Sequence, residues 1–227
     1  MPISTPELSI VIPCACNEPE WPALLDRLSE MKPSAEIILS ACEPEPRTQP
    51  QHGVRWIEGA PGRAAQINRG VAAASGFTVW LLHADSEPNP ACIDAARRFS
   101  QEGRNAIGWF DLSFGDDGPA AVALNAWGAN LRSRWFKLPF GDQGWLLPRT
   151  LFKKLGGFDP GFGRGEDLEF IVRARRTGVP LVRIGAPLRS SARRYRIHGW
   201  LRTTLEHLVL TVQLYRRARR INRSHST

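Results

Sequence analysis

No stretch of this chain approaches the roughly 18 uninterrupted apolar residues that a membrane-spanning helix needs. The closest, Trp200 to Tyr215, is broken by Arg202, Glu206, His207 and Gln213, so a spanning protein is not expected. Cysteine is scarce: Cys14, Cys16, Cys42 and Cys92 are the only four in 227 residues, and they lack metal-ligand spacing. That excludes a zinc module and a disulfide scaffold and leaves buried, reduced thiols as the expectation. There is no Walker loop and no G-x-G-x-x-G fingerprint. Met1-Pro2-Ile3-Ser4 do not lead from a basic into an apolar segment. No secretory signal is therefore expected, and the location expected is cytoplasmic or membrane-peripheral.

The composition present, 42% hydrophobic and 23% charged, is that of an ordinary globular chain. Its length suits one large domain, or one domain with an appendage. The charge is lopsided. From Arg173 onward there are fourteen Arg and one acidic residue, a net of +13, whereas residues 1–172 hold sixteen basic and twenty-one acidic side chains, a net of −5. A nucleic-acid partner is not expected, because most of the chain would repel phosphate. The basic excess instead suits a membrane surface or an anionic ligand.

Leu8–Pro13, Glu36–Ser40, Val54–Ile57 and Thr78–His83 read as strands. Helical spacing over Trp21–Met31, an Ala-rich helix over Arg63–Ala74, and a helix opened by Pro88 or Pro90 alternate with them. Strands alternating with helices imply an α/β fold with a mostly parallel sheet. Beyond Gln101 the pattern predicts strands at 106–114, 144–147 and 181–184, and helices at 120–135, 150–155 and 166–177.

Ligands bind at the carboxyl ends of the strands in such sheets, and the residues after each strand are polar or acidic. Gly59–Arg63 offers close backbone approach and an Arg at a helix start, a natural anion site or else an ordinary turn. His83 and Asp85, two apart in extended chain, would face one side and share a hard cation; the other reading is Asp85 as a helix N-cap with His83 a packed residue. Glu166-Asp167 opens a helix, where acids are favoured anyway, and supplies a candidate general base. Asp142 and Gln143, with Phe140 and Trp145 beside them, present polar groups against an apolar wall, suiting a small polar acceptor or else a tight turn.

Taken in order, Ile10-Val11-Ile12-Pro13 with Asn17-Glu18, Gly62-Arg63-Ala64-Ala65-Gln66, Leu82-His83-Ala84-Asp85, Gly141-Asp142-Gln143, and Gly156-Gly157-Phe158 with Glu166-Asp167 resemble family-2 glycosyltransferases. The later motifs are similar to one branch of that family, the small bacterial arsenosugar-biosynthesis-type group. The resemblance implies a GT-A fold, a nucleotide-sugar-binding αβα sandwich spanning residues 1–187, followed by a basic segment, 188–227. It implies inverting sugar transfer from a nucleoside diphosphate donor to a hydroxyl of a small-molecule or lipid-linked acceptor, with Mg²⁺ or Mn²⁺. Pro13, Asn17 and Glu18 would line the nucleoside pocket, Arg63 and Gln66 would sit by the donor, and Asp85 would hold the metal. Asp167 would be the base, with Glu166 beside it. The chain departs from the family in having His83-Ala84-Asp85 for Asp-x-Asp, Ser40-Ala41-Cys42-Glu43 where an Asp normally contacts the base, and Cys14-Ala15-Cys16 before Asn17. The alternative on the same fold is a catalytically silent nucleotide-sugar-binding regulator.

From Trp200, Leu201, Leu205, Leu208, Val212 and Tyr215 fall four and three apart, one stripe of an amphipathic helix that runs into Arg216, Arg217, Arg219 and Arg220. The expectation is that this stripe packs on the catalytic domain or a second copy, with the Arg cluster complementing the helix dipole. Membrane-surface binding is the competing reading.

Overall fold

The computed structural model describes residues 7–31, 35–46 and 53–224; the N-terminal residues read for a targeting signal lie outside these. The first apolar run becomes β1 (Leu8–Cys14), with all seven residues buried. It lies between β2 (Glu36–Ala41) and β4 (Thr78–Leu81) and runs parallel to both. A strand flanked on both edges and covered on both faces requires a continuous apolar run rather than an alternating one. The remaining strands are β3 (Val54–Glu58), β5 (Ser86–Glu87), β6 (Ile107–Phe114), β7 (Trp145–Pro148) and β8 (Leu181–Ser190). Together they form one sheet in the order β3-β2-β1-β4-β7-β6-β8-β5. The first four in that order are parallel, β7 is antiparallel to both its neighbours, and β6 and β8 are parallel.

Helices cover both faces. Ile10 and Ile12 join Leu24 and Leu28 of α1 (Trp21–Met31) and Ile93 and Phe99 of α3 (Pro90–Gln101) in one core. Val11, between them, joins Ile67 and Val71 of α2 (Arg63–Ala73), Phe152 of α5 (Arg149–Lys154) and Phe170 of α6 (Glu166–Arg176) in the other. Neighbouring residues of one strand thus feed two cores, as the period of two requires. The arrangement is the expected α/β sandwich. Gly70 lets α2 lie directly on β1, because a Cβ there would collide with the Val11 side chain. Asn89, not Asp85, caps α3, its side chain accepting the Cys92 N–H at 3.0 Å.

Several expectations are corrected. The last strand is ten residues long, not four, because Gly185, at a φ of 85°, and Pro187 interrupt its hydrophobic pattern without ending it. The pairing with β6 slips between Trp109 and Asp111 and then resumes as far as Ser190. The boundary expected at 187/188 therefore falls inside β8. The two-residue β5 was too short to show a period, and α7 (Arg193–His198) precedes the terminal helix α8 (Trp200–Ser224).

The largest correction concerns α8. Leu201, Leu205, Leu208 and Val212 are exposed, and only Tyr215 of the expected stripe touches the core. The opposite face packs instead: Thr203 and Ala218 are buried, and Leu214 and Ile221 rest on the core shared with α6. Leu214 occupies the notch left by Gly165, whose φ is 85°, and Arg217 donates to the Phe162 carbonyl at 2.9 Å. The end of the chain thereby buttresses the entrance to α6.

A side chain at Gly165 would meet both a left-handed backbone and Leu214. Gly165→Ala is expected to cost about 1–3 kcal/mol in urea unfolding, part of it recovered when Leu214→Ala is added. An equal cost in both backgrounds would remove Leu214 as the constraint.

Candidate active site

Several loops end at the carboxyl edge of the sheet. The first follows β1. Pro13 is buried within the strand, whereas Asn17 is exposed with a φ of 57°, and its N–H donates to Glu43 Oε2 at 3.2 Å. Glu18 Oε1 accepts the Glu20 N–H at 3.3 Å. Glu43, which the sequence reading did not select, enters because β1 and β2 are neighbours. The same adjacency joins Cys16 to Cys42 in a disulfide with Cα atoms 5.6 Å apart. The expectation of four reduced thiols is thus corrected for this pair, whose separation of 26 residues carries no signal. Cys14 and Cys92 are buried thiols as expected; burial, with Glu18 and Glu43 nearby, pushes the Cys14 thiol up to about 12.

Arg63 opens α2 and reaches across to α6. Its Nε donates to Glu166 Oε1 at 2.6 Å, and its Nη2 lies 3.5 Å from Asp167 Oδ1. Glu166 is 5% exposed and Asp167 8%, so both carboxylates depend on this guanidinium. Asp167 is further held by the Gly141 N–H on Oδ2 (3.0 Å) and the Leu168 N–H on Oδ1 (2.8 Å). Burial pushes its carboxyl up, but Arg63, these two hydrogen bonds and His83 outweigh it and hold it below the usual carboxylate range. The carboxylate is therefore ionised at neutral pH.

Gly141–Gln143 form a single 3-10 turn over this pair. A Cβ on Gly141 would come within 2.9 Å of His83 Nε2 and 3.3 Å of Asp167 Oδ2, so the residue must be small for the turn to sit this close. Asp142 Oδ1 is buried with no hydrogen-bond partner among the described residues. Burial raises the Asp142 carboxyl, assisted by Asp167 and opposed by Arg132 and Arg63. Arg132, on α4 (Val122–Phe136), stacks over the Phe140 ring at 3.6 Å and donates from Nε to the Leu138 carbonyl at 3.0 Å. No motif marked Arg132; it reaches the site because the chain folds back after Lys137, which has a φ of 53°.

Other expected residues lie beneath the site rather than facing it. Gln66 is 2% exposed, and its amide donates to the carbonyls of Cys14 and of Ser40, the latter at 3.1 Å, tying the ends of β1 and β2 together. Gln143, expected to meet the acceptor, is fully buried and spent on the protein: Oε1 accepts from Ser133 Oγ (2.6 Å) and the Phe140 N–H (3.1 Å), and Nε2 donates to the Phe110 carbonyl (3.1 Å). Trp145 is a core residue packed on Phe158 and Phe170, not an acceptor wall.

His83 and Asp85 do not lie in extended chain. The strand ends at Leu81, and the His83 carbonyl accepts the Ser86 N–H at 3.1 Å, closing a turn. The alternation that would have aimed both at one ion therefore lapses, and His83 faces Gly141 and Asp167. Among the described residues no three His, Cys, Asp or Glu side chains gather as a metal cage. Asp85 follows β4, is half-buried, and its carbonyl accepts the Ser191 N–H at 3.3 Å.

The profile of glycosyl transferase family 2 matches residues 23–156, more than half of the chain. The chain belongs to that family. It is 32% identical over 146 residues to an uncharacterized glycosyltransferase of Mycobacterium tuberculosis, an alignment covering 60% of this chain and 50% of that protein. The chain thus spans about half the length of the relatives it matches. Staphylococcus aureus TarS 1–349 in complex with UDP superposes with a TM-score of 0.62 at 14% identity, over 82% of this chain and 60% of that one. The mannosyltransferase PcManGT of Pyrobaculum calidifontis, solved with GDP-Man and Mn²⁺, gives 0.59 at 16%, over 82% and 57%. The fold of this family-2 chain is accordingly like that of the GT-A glycosyltransferases. Pro13, Asn17, Glu18 and the Glu166-Asp167 pair lie outside the matched span.

Removing Arg63 leaves two buried carboxylates without their counter-charge. Arg63→Ala is expected to cost about 1–3 kcal/mol, less than for a wholly buried pair because the guanidinium is partly solvated. Adding Glu166→Gln is expected to restore part of that loss in chemical denaturation. Because the Asp167 carboxyl is held low, its contribution is complete above the ordinary carboxylate range and is lost as pH falls through its own value. Asp167→Asn is expected to flatten that acid-side loss.

Proposed function

We propose that this chain transfers a sugar from a nucleoside diphosphate donor to a hydroxyl of a small-molecule or lipid-linked acceptor, with inversion at the anomeric carbon. The observation that carries this reading is the convergence of Arg63, Gly141, Asp142, Glu166 and Asp167, from three distant segments, at the carboxyl edge of a family-2 sheet. The nucleoside is assigned to the rim formed by Asn17, Glu18 and Glu43, and Pro13 holds that rim at the end of β1. PcManGT was solved with GDP-Man and Mn²⁺; for this chain the corresponding proposal is a divalent ion, Mg²⁺ or Mn²⁺, anchored by Asp85. When bound, such an ion neutralises the charge that grows on the departing diphosphate.

Asp167 is assigned as the base. It takes the proton from the acceptor hydroxyl as that oxygen bonds to the anomeric carbon and the bond from carbon to the diphosphate oxygen breaks. Glu166 and Arg63 position it, and the Gly141 N–H fixes the oxygen it presents. Asp142 is assigned to the acceptor, because its buried Oδ1 still lacks a donor that a sugar or other hydroxyl would supply.

A thermal-shift screen of UDP-, GDP-, ADP- and dTDP-sugars with and without Mn²⁺ is expected to show one nucleotide that stabilises the protein in a metal-dependent way, an effect lost in Asp85→Ala. Asp167→Asn is expected to lower turnover on the order of 10²–10⁴-fold while donor binding persists, whereas Asp142→Asn is expected to raise the acceptor KM more than the donor KM. Donor binding without transfer to any acceptor would favour the silent regulator, a reading supported by the missing Asp after β2. A product of retained configuration would remove Asp167 from the base role.

A further inference from the structure

Two helices present rows of apolar residues to solvent. On α4, Leu124, Trp127, Leu131 and Trp135 follow one another at spacings of three and four, with Trp127 65% and Trp135 77% exposed. On α8, Leu201, Leu205, Leu208 and Val212 do the same. The two helices touch near their first turns: Asn125 donates to Thr204 Oγ1 at 3.0 Å and accepts from Trp200 Nε1 at 2.6 Å. Leu124 and Leu205 are the chain neighbours of that contact. The α8 stripe then continues, at the same spacings of four and three, into exposed Arg216 and Arg219. Arg216 also lines, with Gln213, Arg217, Arg220 and Ile221, a depression of about 430 Å³. The α4 stripe ends similarly, at exposed Arg134 and Lys137.

We propose that this α4–α8 face docks the protein on the surface of an anionic lipid bilayer. Exposed Trp and Leu beside a cationic end match an interface in which rings and aliphatic chains enter the acyl boundary and guanidinium groups meet lipid phosphate. A second copy is the less fitting occupant. A two-fold pairing through this face would bring two segments of net charge +13 together, whereas an anionic surface neutralises them. The protein lies on the bilayer rather than through it, since no helix among the described residues is long and apolar enough to cross one. Because the chain leaves α4 at Phe136, six residues before Asp142, docking there would hold the site near the headgroup layer. This consequence for a lipid-linked acceptor rests on the proposed sugar transfer; the docking itself does not.

The test is flotation of the full chain with phosphatidylcholine vesicles, with and without 30% phosphatidylglycerol. Co-flotation is expected with the anionic vesicles only and is expected to fall several-fold at high salt. Trp127→Ser/Trp135→Ser and, separately, Arg216→Glu/Arg219→Glu are each expected to reduce it at least tenfold with unchanged melting temperature. Brominated phosphatidylcholine mixed into the anionic vesicles is expected to quench tryptophan emission in the unaltered chain, a readout that needs no variant. The proposal is overturned if the unaltered chain does not float, if flotation survives the tryptophan substitutions, or if those substitutions convert a vesicle-free dimer to a monomer in light scattering. Sugar transfer to a soluble acceptor is measured in parallel, so that loss of docking and loss of activity are read separately.

Discussion

Two adjacent carboxylates at the start of α6 are almost fully buried, and that is tolerable only because the Arg63 guanidinium reaches them from the start of α2. Much of the local architecture follows from this requirement. The first turn of α2 must lie against that of α6. Gly141 must be small enough to bring its N–H onto Asp167, and Gly165 must turn the chain into α6 with a left-handed backbone. A carboxylate held by a guanidinium and two backbone donors is ionised and fixed in orientation by the fold itself.

The same requirement gives the end of the chain a structural task. Leu214 fills the Gly165 notch, Ala218 is buried against α6, and Arg217 bonds the Phe162 carbonyl. The basic segment is thus no detached appendage, and its exposed stripe cannot rotate inward without giving up the support of the buried Glu166-Asp167 pair. A helix pinned on one face by the core and apolar on the other leaves an exposed patch of the kind that marks an interaction surface.

Below the site, polar side chains that look like ligands in a linear reading are spent on backbone. Gln66 closes the carbonyls at the ends of β1 and β2, Gln143 fastens its turn to Ser133 and Phe110, and Asn68 brackets Phe158 through both its N–H and its carbonyl. These buried groups are satisfied by the protein, whereas Asp142 Oδ1 is buried without a hydrogen-bond partner among the described residues.

The linear sequence determined the parts that depend on local period and local chemistry. These were the β1 run, the alternation of strands and helices, Arg63 and Glu166 at their helix starts, and the ordered motifs that mark the family. It could not determine what depends on which distant segments become neighbours. Cys16 and Cys42, Asn17 and Glu43, and Arg132 and Phe140 meet only once the sheet order and the fold-back after α4 exist. In α8 both faces carried apolar residues at helical spacing, so periodicity alone admitted either. Tertiary structure chose the face with Leu214 and Ala218, because a side chain of that shape fits Gly165 and a small residue lets the helix approach α6. Steric fit between segments, which no one-dimensional pattern encodes, decided which half of an amphipathic sequence faces inward.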